Sequence, residues 1–328
     1  MTQTFEQTRF GYGQNDKGFH VGTKPWYAVG TQLSDKAPSV EEGIKIAGLD
    51  WDVELKDLQS VDGHPTQFKG VMRSDNNACL GAVTKNYNPL QNTEAFKFFE
   101  PFIESGQATL DAAGSFYNGR KVWILAKINR DDIIMNESKN DIIEKYILLS
   151  NSHDGGSAVR VGYTPFRISC QNTLTVAENS NRSQLIKVYH RKNVVEAINC
   201  VADTMNLIDQ TFKTYEEKYR YLATLPVDKK DLENYVKAVF SKKSLEDLYE
   251  NETGFSDIEV NNMRKSLIER VEEVFEMEYA HNAWTAYNAV NSYLNHDRGR
   301  NQESTYNSLW FQSARRLDQR ALALAEKL

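Results

Sequence analysis

Residues 108–128 read ATLDAAGSFYNGRKVWILAKI, and this stretch decides the fold class. Two apolar runs flank the dipeptide Asn118-Gly119. That dipeptide favours a type I′ turn, because both of its residues tolerate positive φ angles. The pattern therefore predicts a β-hairpin, and with it an antiparallel sheet in this part of the chain.

Further strands are predicted on both sides of the hairpin, where apolar residues alternate with polar ones or form short runs. These segments are residues 51–58, 68–83 (two strands around an SDNN turn), 146–152, 157–170 and 184–191. Two helices are predicted among them. Residues 38–48 begin with a capping box of Ser39 and Glu42, and residues 93–105 contain Pro101, which should bend or shorten the second helix.

The periodicity changes after Asn193, and apolar residues recur at helical spacing to the end of the chain. The fold class predicted is therefore α+β, with an antiparallel-leaning sheet and helices first and an all-helical part after it. We predict two regions. Residues 1–192 form an α+β core with a nucleic-acid-binding sheet, and residues 193–328 form a helical region for oligomerisation or partner binding.

Composition narrows the class of protein. The 328 residues are 40% hydrophobic, and the formal net charge is -6, so a nucleic-acid site would have to be a local patch. The three cysteines are far apart and form no Cys-x-x-Cys pair, which disfavours a disulfide framework or a cysteine zinc site. The polar N-terminus and the lack of a run of about 18 apolar residues favour a cytoplasmic protein.

One stretch combines many cations with almost no acid. Between Gly155 and Val195 the only acid is Glu178, against six lysines and arginines with interleaved aromatics. Cations attract phosphates and exposed aromatic rings stack on unpaired bases, so this pattern is typical of a surface for single strands. An ordinary sheet with a solvated cationic face would show the same pattern. The candidate binding residues here are Arg160, Tyr163, Arg167, Lys187, Tyr189, Arg191 and Lys192.

Two neighbouring features could extend that surface. Arg120 and Lys121 flank the hairpin turn and would continue the cationic track. His153 lies in the loop SNSHDGGSA, whose Asp-Gly-Gly permits positive φ and a close approach to a phosphate. The alternative is a structural turn in which His153 and Asp154 satisfy backbone groups.

Catalysis has weaker support in the sequence. Asp131, Asp132 and Asp154 could join a carboxylate cluster for Mg²⁺, as in nucleases. Cys170, His153 and Asn172 are the residue types of a thiol nucleophile, its base and an orienting amide. Neither a P-loop nor a Gly-x-Gly-x-x-Gly after a strand occurs. We therefore assign no catalytic residue, metal site or cofactor.

Several motifs resemble one known family in the expected order. They are KPWYAVGTQL, AGLDWDVEL, AAGSFYNGRKVWILAKI, SNSHDGGSAVRVGYTPFRISCQNTLTVA and AWTAYNAVNSYLNH. The chain resembles phage/plasmid-like proteins held as a domain of unknown function, and is more distantly similar to Rad52-like single-strand annealing proteins. The resemblance implies a mobile-element source and a DNA-handling role, and the family supplies no catalytic residues to carry over.

The sequence thus predicts a single-stranded DNA-binding and annealing protein of a phage or mobile element, acting in recombination. It would work without catalysis, in a bacterial cytoplasm, as a homo-oligomeric ring or filament. The helical part would mediate self-association or recruit a nuclease or a single-strand-binding protein. Two alternatives remain open: a phage or plasmid protein that captures a host defence protein, and a metal-dependent nuclease.

Overall fold

The fold is mixed α+β, with strands up to residue 188 and helices dominating after residue 193, as the periodicity predicts. The structure is a computed structural model. It describes residues 18–21, 31–33, 36–167, 172–173, 185–204, 208–241, 263–298, 308 and 313–328.

Strands of the described residues form two sheets. They are β1 Gly18–Val21, β2 Thr31–Leu33, β3 Val53–Gln59, β4 Pro65–Arg73, β5 Cys79–Thr84, β6 Ala108–Phe116, β7 Lys121–Ile128, β8 Ile133–Asn136, β9 Asp141–Ser152, β10 Val159–Arg167, β11 Asn172–Thr173 and β12 Leu185–Val188. The larger sheet has nine strands in the order β11-β10-β9-β7-β6-β1-β2, with β12 also paired to β10 and β8 to β9, and the smaller sheet is β3-β4-β5. Strands β1 and β2 pair in parallel, and the other strand pairs with a described register are antiparallel.

The predicted hairpin is confirmed as β6 and β7, which pair from Ala108 with Ile128 to Phe116 with Lys121. Asn118 and Gly119 have φ angles of 59° and 89°, the values of a type I′ turn. The Arg120 N–H donates to the Tyr117 carbonyl over 3.3 Å and closes the turn. Nearly every side chain of both strands is buried, which makes this hairpin the centre of the sheet's core.

Capping side chains and a proline determine where the helices in the first half of the chain begin and end. Helix α1 (Val40–Ile46) has the predicted capping box, in which Ser39 accepts from the Glu42 N–H and Glu42 accepts from the Ser39 N–H. The predicted helix around Pro101 is divided into α2 (Asn92–Lys97) and α3 (Glu100–Glu104). Pro101 sits in the first turn of α3, where its missing N–H costs no hydrogen bond.

Helices follow β12 to the end of the described chain: α4 Val194–Thr204, α5 Ile208–Leu222, α6 Lys229–Phe240, α7 Met263–Met277, α8 Ala283–Ser292 and α9 Ser313–Ala325. Every residue of α8 is buried, so this helix is a core element on all its faces. Asp141 is also fully buried, and its Oδ2 accepts from the Tyr279 hydroxyl (2.7 Å) and the Trp284 Nε1–H (2.9 Å). The carboxylate is thus stabilised by two donors from the helical part.

The chain divides into two compact units. The first comprises residues 1–131, 145–164 and 182–206, and the second comprises residues 132–144, 165–181 and 207–328. Each unit is discontinuous in sequence, whereas the sequence predicts a single boundary after Lys192. The division into an independent domain of residues 1–192 and another of residues 193–328 stays a prediction. Of the described helices, none is both long and apolar enough to cross a membrane.

Candidate nucleic-acid interface

Two predicted cations face each other across neighbouring strands of the first unit. Arg160 of β10 and Lys187 of β12 are direct Cα partners in the antiparallel register. Directly opposite residues share a face of the sheet, with Cβ atoms roughly 5 Å apart. Lys187 is exposed and Arg160 is half-buried. Like charges directly opposite each other disfavour the sheet, so a phosphate bound at this pair would offset part of the repulsion.

Lys121 adds a third cation to this region. Its half-buried side chain has a lowered pKa because of burial, an effect that Asp154 opposes and the positive charge of Arg160 reinforces. Burial also lowers the pKa of Arg160. Arg120, next to Lys121, is exposed in the hairpin turn. We call Arg120, Lys121, Arg160 and Lys187 the cationic row. A bound anion would lower the cost of holding these charges together.

Beside the row, three segments of the first unit line a cavity of about 1030 Å³, which we call the loop groove. They are residues 84–88 after β5, residues 155–158 between β9 and β10, and residues 189–192 after β12. Its cations are Lys85, Arg191 and Lys192, all with exposed side chains. A cavity of this size can hold a nucleotide or a short length of single strand.

Contacts between distant residues hold the groove in shape. The Tyr87 and His190 rings stack with centroids 4.6 Å apart, and the Asn88 N–H donates to the His190 carbonyl over 3.0 Å. The Tyr87 hydroxyl donates to the Ser152 carbonyl over 3.0 Å. These bonds join the segment after β5 to the end of β9 and to the segment after β12.

Tyr189 is the aromatic residue best placed for stacking. Its side chain is 63% exposed and lines the groove, and the Arg191 guanidinium carbon lies 5.6 Å from its ring centroid. Tyr163, by contrast, is half-buried. It lies three positions from Arg160 in β10, so the two side chains point to opposite faces of the sheet. Of the two predicted tyrosines, only Tyr189 is presented beside the cations.

His190 forms a buried wall of the groove. It is 9% exposed, and neither ring nitrogen has a hydrogen-bond partner among the described residues. Burial lowers the pKa of His190 to about 4, although nearby backbone groups of Asn88 and Ser157 favour the charged form. The ring is therefore neutral at pH 7. Its stacking on Tyr87 is consistent with a neutral, packed ring.

The structure corrects the predicted role of His153 as a phosphate contact, because this residue does not lie on the surface. The side chain is fully buried, its Nε2 bonds to the Asn92 Oδ1 (2.9 Å), and its ring centroid is 5.4 Å from that of Trp51. Burial lowers the pKa of His153 to about 3. The geometry supports the alternative interpretation of this loop as a structural turn. Asp154 Oδ1 accepts from the Gly156 N–H (2.8 Å) and from the Ser152 hydroxyl.

The remaining candidates fall outside this surface or outside the described residues. The Cα of Arg167 pairs with Asn172 at the end of β10, in the second unit, and its side chain is not among those described. Cys170 also lies outside the described residues. Within the described part of the chain, no group of three or more His, Cys, Asp or Glu side chains could hold a metal ion, Asp131, Asp132 and Asp154 included.

A family model for a domain of unknown function, DUF932, matches residues 79–319, which is most of the chain. The protein belongs to the DUF932 family. The matched DUF932 region includes all three segments of the loop groove and the whole cationic row. No curated protein and no solved structure matches the chain.

Sequence reasoning missed one side of the groove in this DUF932 protein. Residues 84–88 read TKNYN and supply Lys85 and Tyr87, yet they lie about 70 residues before the cationic stretch. The two asparagines indicate a turn, and nothing in the local pattern indicates a binding site. Only the fold brings this segment to Tyr189, Arg191 and Lys192.

Proposed function

We propose that this protein binds single-stranded DNA without catalysing a reaction and anneals complementary strands as a homo-oligomer. The observation that carries the proposal is the cationic row beside a groove with an exposed tyrosine. The proposal includes a phage or mobile-element source, a role in recombination in the bacterial cytoplasm, and assembly into a ring or filament. The helices mediate this self-association or recruit a nuclease or a single-strand-binding protein. The distant similarity to Rad52-like proteins belongs to the same proposal.

Each part of the surface has a task in this mechanism. The cationic row neutralises backbone phosphates, and binding gains from the release of their counterions. Tyr189 supports a base through its ring face, which does not depend on base identity. Backbone contacts of this kind leave the Watson–Crick edges of the remaining bases available to a second strand. Several copies on one strand multiply weak contacts through effective concentration.

The test measures the affinity for a fluorescent oligothymidylate as a function of salt. We expect binding at 50 mM salt, with an affinity that falls steeply toward 200 mM. In the double variant Arg160→Gln and Lys187→Gln, the affinity should fall roughly tenfold, and the slope of log affinity against log salt should flatten by about 1.4, or about 0.7 per lost phosphate contact.

The matched control removes two exposed lysines from α1 and α2, as Lys45→Gln and Lys97→Gln. It should retain most of the affinity and of the salt slope. If the wild-type protein does not bind the oligonucleotide at 50 mM salt, the proposed function is refuted. Acceleration of annealing between complementary oligonucleotides, measured by energy transfer, then distinguishes an annealing protein from a simple binder.

A second prediction concerns stacking at Tyr189. Tyr189→Ala should weaken binding of single-stranded DNA roughly tenfold, since base–aromatic stacking contributes about 1–3 kcal/mol per base. Tyr189→Phe keeps the ring and should bind within about twofold of the wild type, on the same principle. Fluorescence anisotropy at fixed salt measures both. Equal losses in the two variants would show that the hydroxyl, and not the ring face, makes the contact.

A further inference from the structure

The loop groove concentrates positive charge around one cavity. Lys85, Arg191 and Lys192 line it, and all three side chains are exposed. Helix α4 begins at Val194, two residues after Lys192, but the exposed Glu196 in its first turn offsets the positive end of the helix dipole. Each internal phosphodiester of a strand carries one negative charge. Three cations around one cavity therefore suit a group with a higher charge.

A phosphate monoester is such a group. It carries about −1.5 to −2 charges at pH 7 and offers three acceptor oxygens. In a nucleic acid this group occurs only at a strand end. Charge-assisted bonds from arginine and lysine to phosphate are among the stronger hydrogen bonds of proteins.

The lining of the groove also suits a terminal nucleotide. The stacked Tyr87 and His190 rings line it, and the bond from the Asn88 N–H to the His190 carbonyl holds their two segments together. The exposed ring of Tyr189 lies beside the cations, so one nucleotide can place its base against the ring and its phosphate among the charges.

Asp154 is a second acid near the groove, besides Glu196. It directly precedes the lining segment 155–158, and its Oδ1 is held by the Gly156 N–H and the Ser152 hydroxyl. These donors offset part of its negative charge.

We propose that the loop groove binds the phosphorylated end of a single DNA strand, with the terminal phosphate among Lys85, Arg191 and Lys192 and the terminal base against Tyr189. This inference rests on the proposed function, because it assigns the strand's end to the groove and its interior to the cationic row.

The experiment compares four oligonucleotides of one sequence: 5′-phosphorylated, 3′-phosphorylated, hydroxyl at both ends, and circular. They compete with a labelled hydroxyl-ended strand for the full-length protein. We expect one phosphorylated form to compete roughly tenfold better than the hydroxyl-ended and circular forms, the gain typical of one additional charge-assisted contact. Which of the two competes better identifies the end that the groove takes.

The variant pair Arg191→Gln and Lys192→Gln should abolish that preference. Its affinity for the circular strand should fall less than its affinity for the preferred phosphorylated form, because the cationic row is intact, and the ratio of these two affinities is the readout. Circular dichroism verifies that the variant folds, and Lys45→Gln with Lys97→Gln, which should keep the preference, is the charge-matched control.

The outcomes separate the two proposals. Equal competition by all four forms would overturn the end site and leave single-strand binding standing. A preference that survives in the Arg191 and Lys192 variant would also overturn the end site, because the preference would then arise elsewhere. An absence of binding by every form would overturn both proposals.

Discussion

The free energy of unfolding should fall by about 3–4 kcal/mol between pH 7 and pH 5, because two buried histidines must become charged when the protein unfolds. Burial lowers the pKa of His153 from 6.5 to about 3 and that of His190 from 6.5 to about 4. The folded state therefore binds fewer protons than the unfolded state throughout this range. The contribution is fully present above pH 6.5 and is lost as the pH falls toward the folded pKa values.

Denaturant unfolding at a series of pH values measures this slope, and one variant assigns it. His153→Gln is expected to lower stability at pH 7 but to halve the pH-dependent loss that these two rings cause, since His190 then contributes alone. The exposed His64→Gln is the matched control and should keep the wild-type slope. The bond to Arg73 lowers the pKa of the Asp75 carboxyl, so its stabilising contribution is kept between pH 7 and pH 5 and is lost only as the pH falls further. A stability that does not change between pH 7 and pH 5 would contradict the burial of both rings.

Gly81→Ala should destabilise the protein by about 2–3 kcal/mol and weaken DNA binding as well. A Cβ atom at residue 81 would lie 2.7 Å from the Cα of Asp154 and 2.8 Å from its carbonyl oxygen. Both atoms belong to the backbone, so the segment between β9 and β10 has to move. That movement displaces residues 155–158, which line the loop groove.

Gly70→Ala provides the comparison within the same small sheet. Gly70 of β4 pairs with Ala82 of β5, and its new Cβ would meet two side chains, Leu58 at 3.0 Å and the Met72 sulfur at 3.5 Å. A side-chain end can move aside, so we expect a loss below about 1 kcal/mol and unchanged DNA affinity. Both free energies come from denaturant unfolding. Similar values for the two variants would show that the close approach of Gly81 to Asp154 does not constrain the loop.

The parts of the fold that were predictable are those specified by neighbouring residues. Asn118 and Gly119 determine their turn through their own φ preferences, and Ser39 and Glu42 cap α1 across three residues. Pro101 ends one helix and starts another for the same local reason. The discontinuous grouping into two units depends on contacts far apart in sequence, which no local pattern contains.

The candidate site was predictable to a similar, limited extent. The local excess of positive charge predicted Tyr189, Arg191 and Lys192, because these residues are close together in sequence. It could not predict Lys85, because that residue reaches the groove only through tertiary structure. His153 was misplaced because its environment depends on Trp51 and Asn92, both more than 60 residues away. A histidine beside two glycines has the same local pattern whether it contacts a ligand or fills a core.

The buried Asp141 has a consequence for how the protein is made. Its donors Tyr279 and Trp284 are synthesised 138 and 143 residues later. At a bacterial or eukaryotic ribosome this interval lasts roughly 7–28 s. During that time β8 and the start of β9 have been synthesised, but the helices that complete the second unit have not. A stop codon after Val188 and before Tyr279 would leave a polypeptide that contains every described strand but in which the Asp141 carboxylate has neither of these two donors.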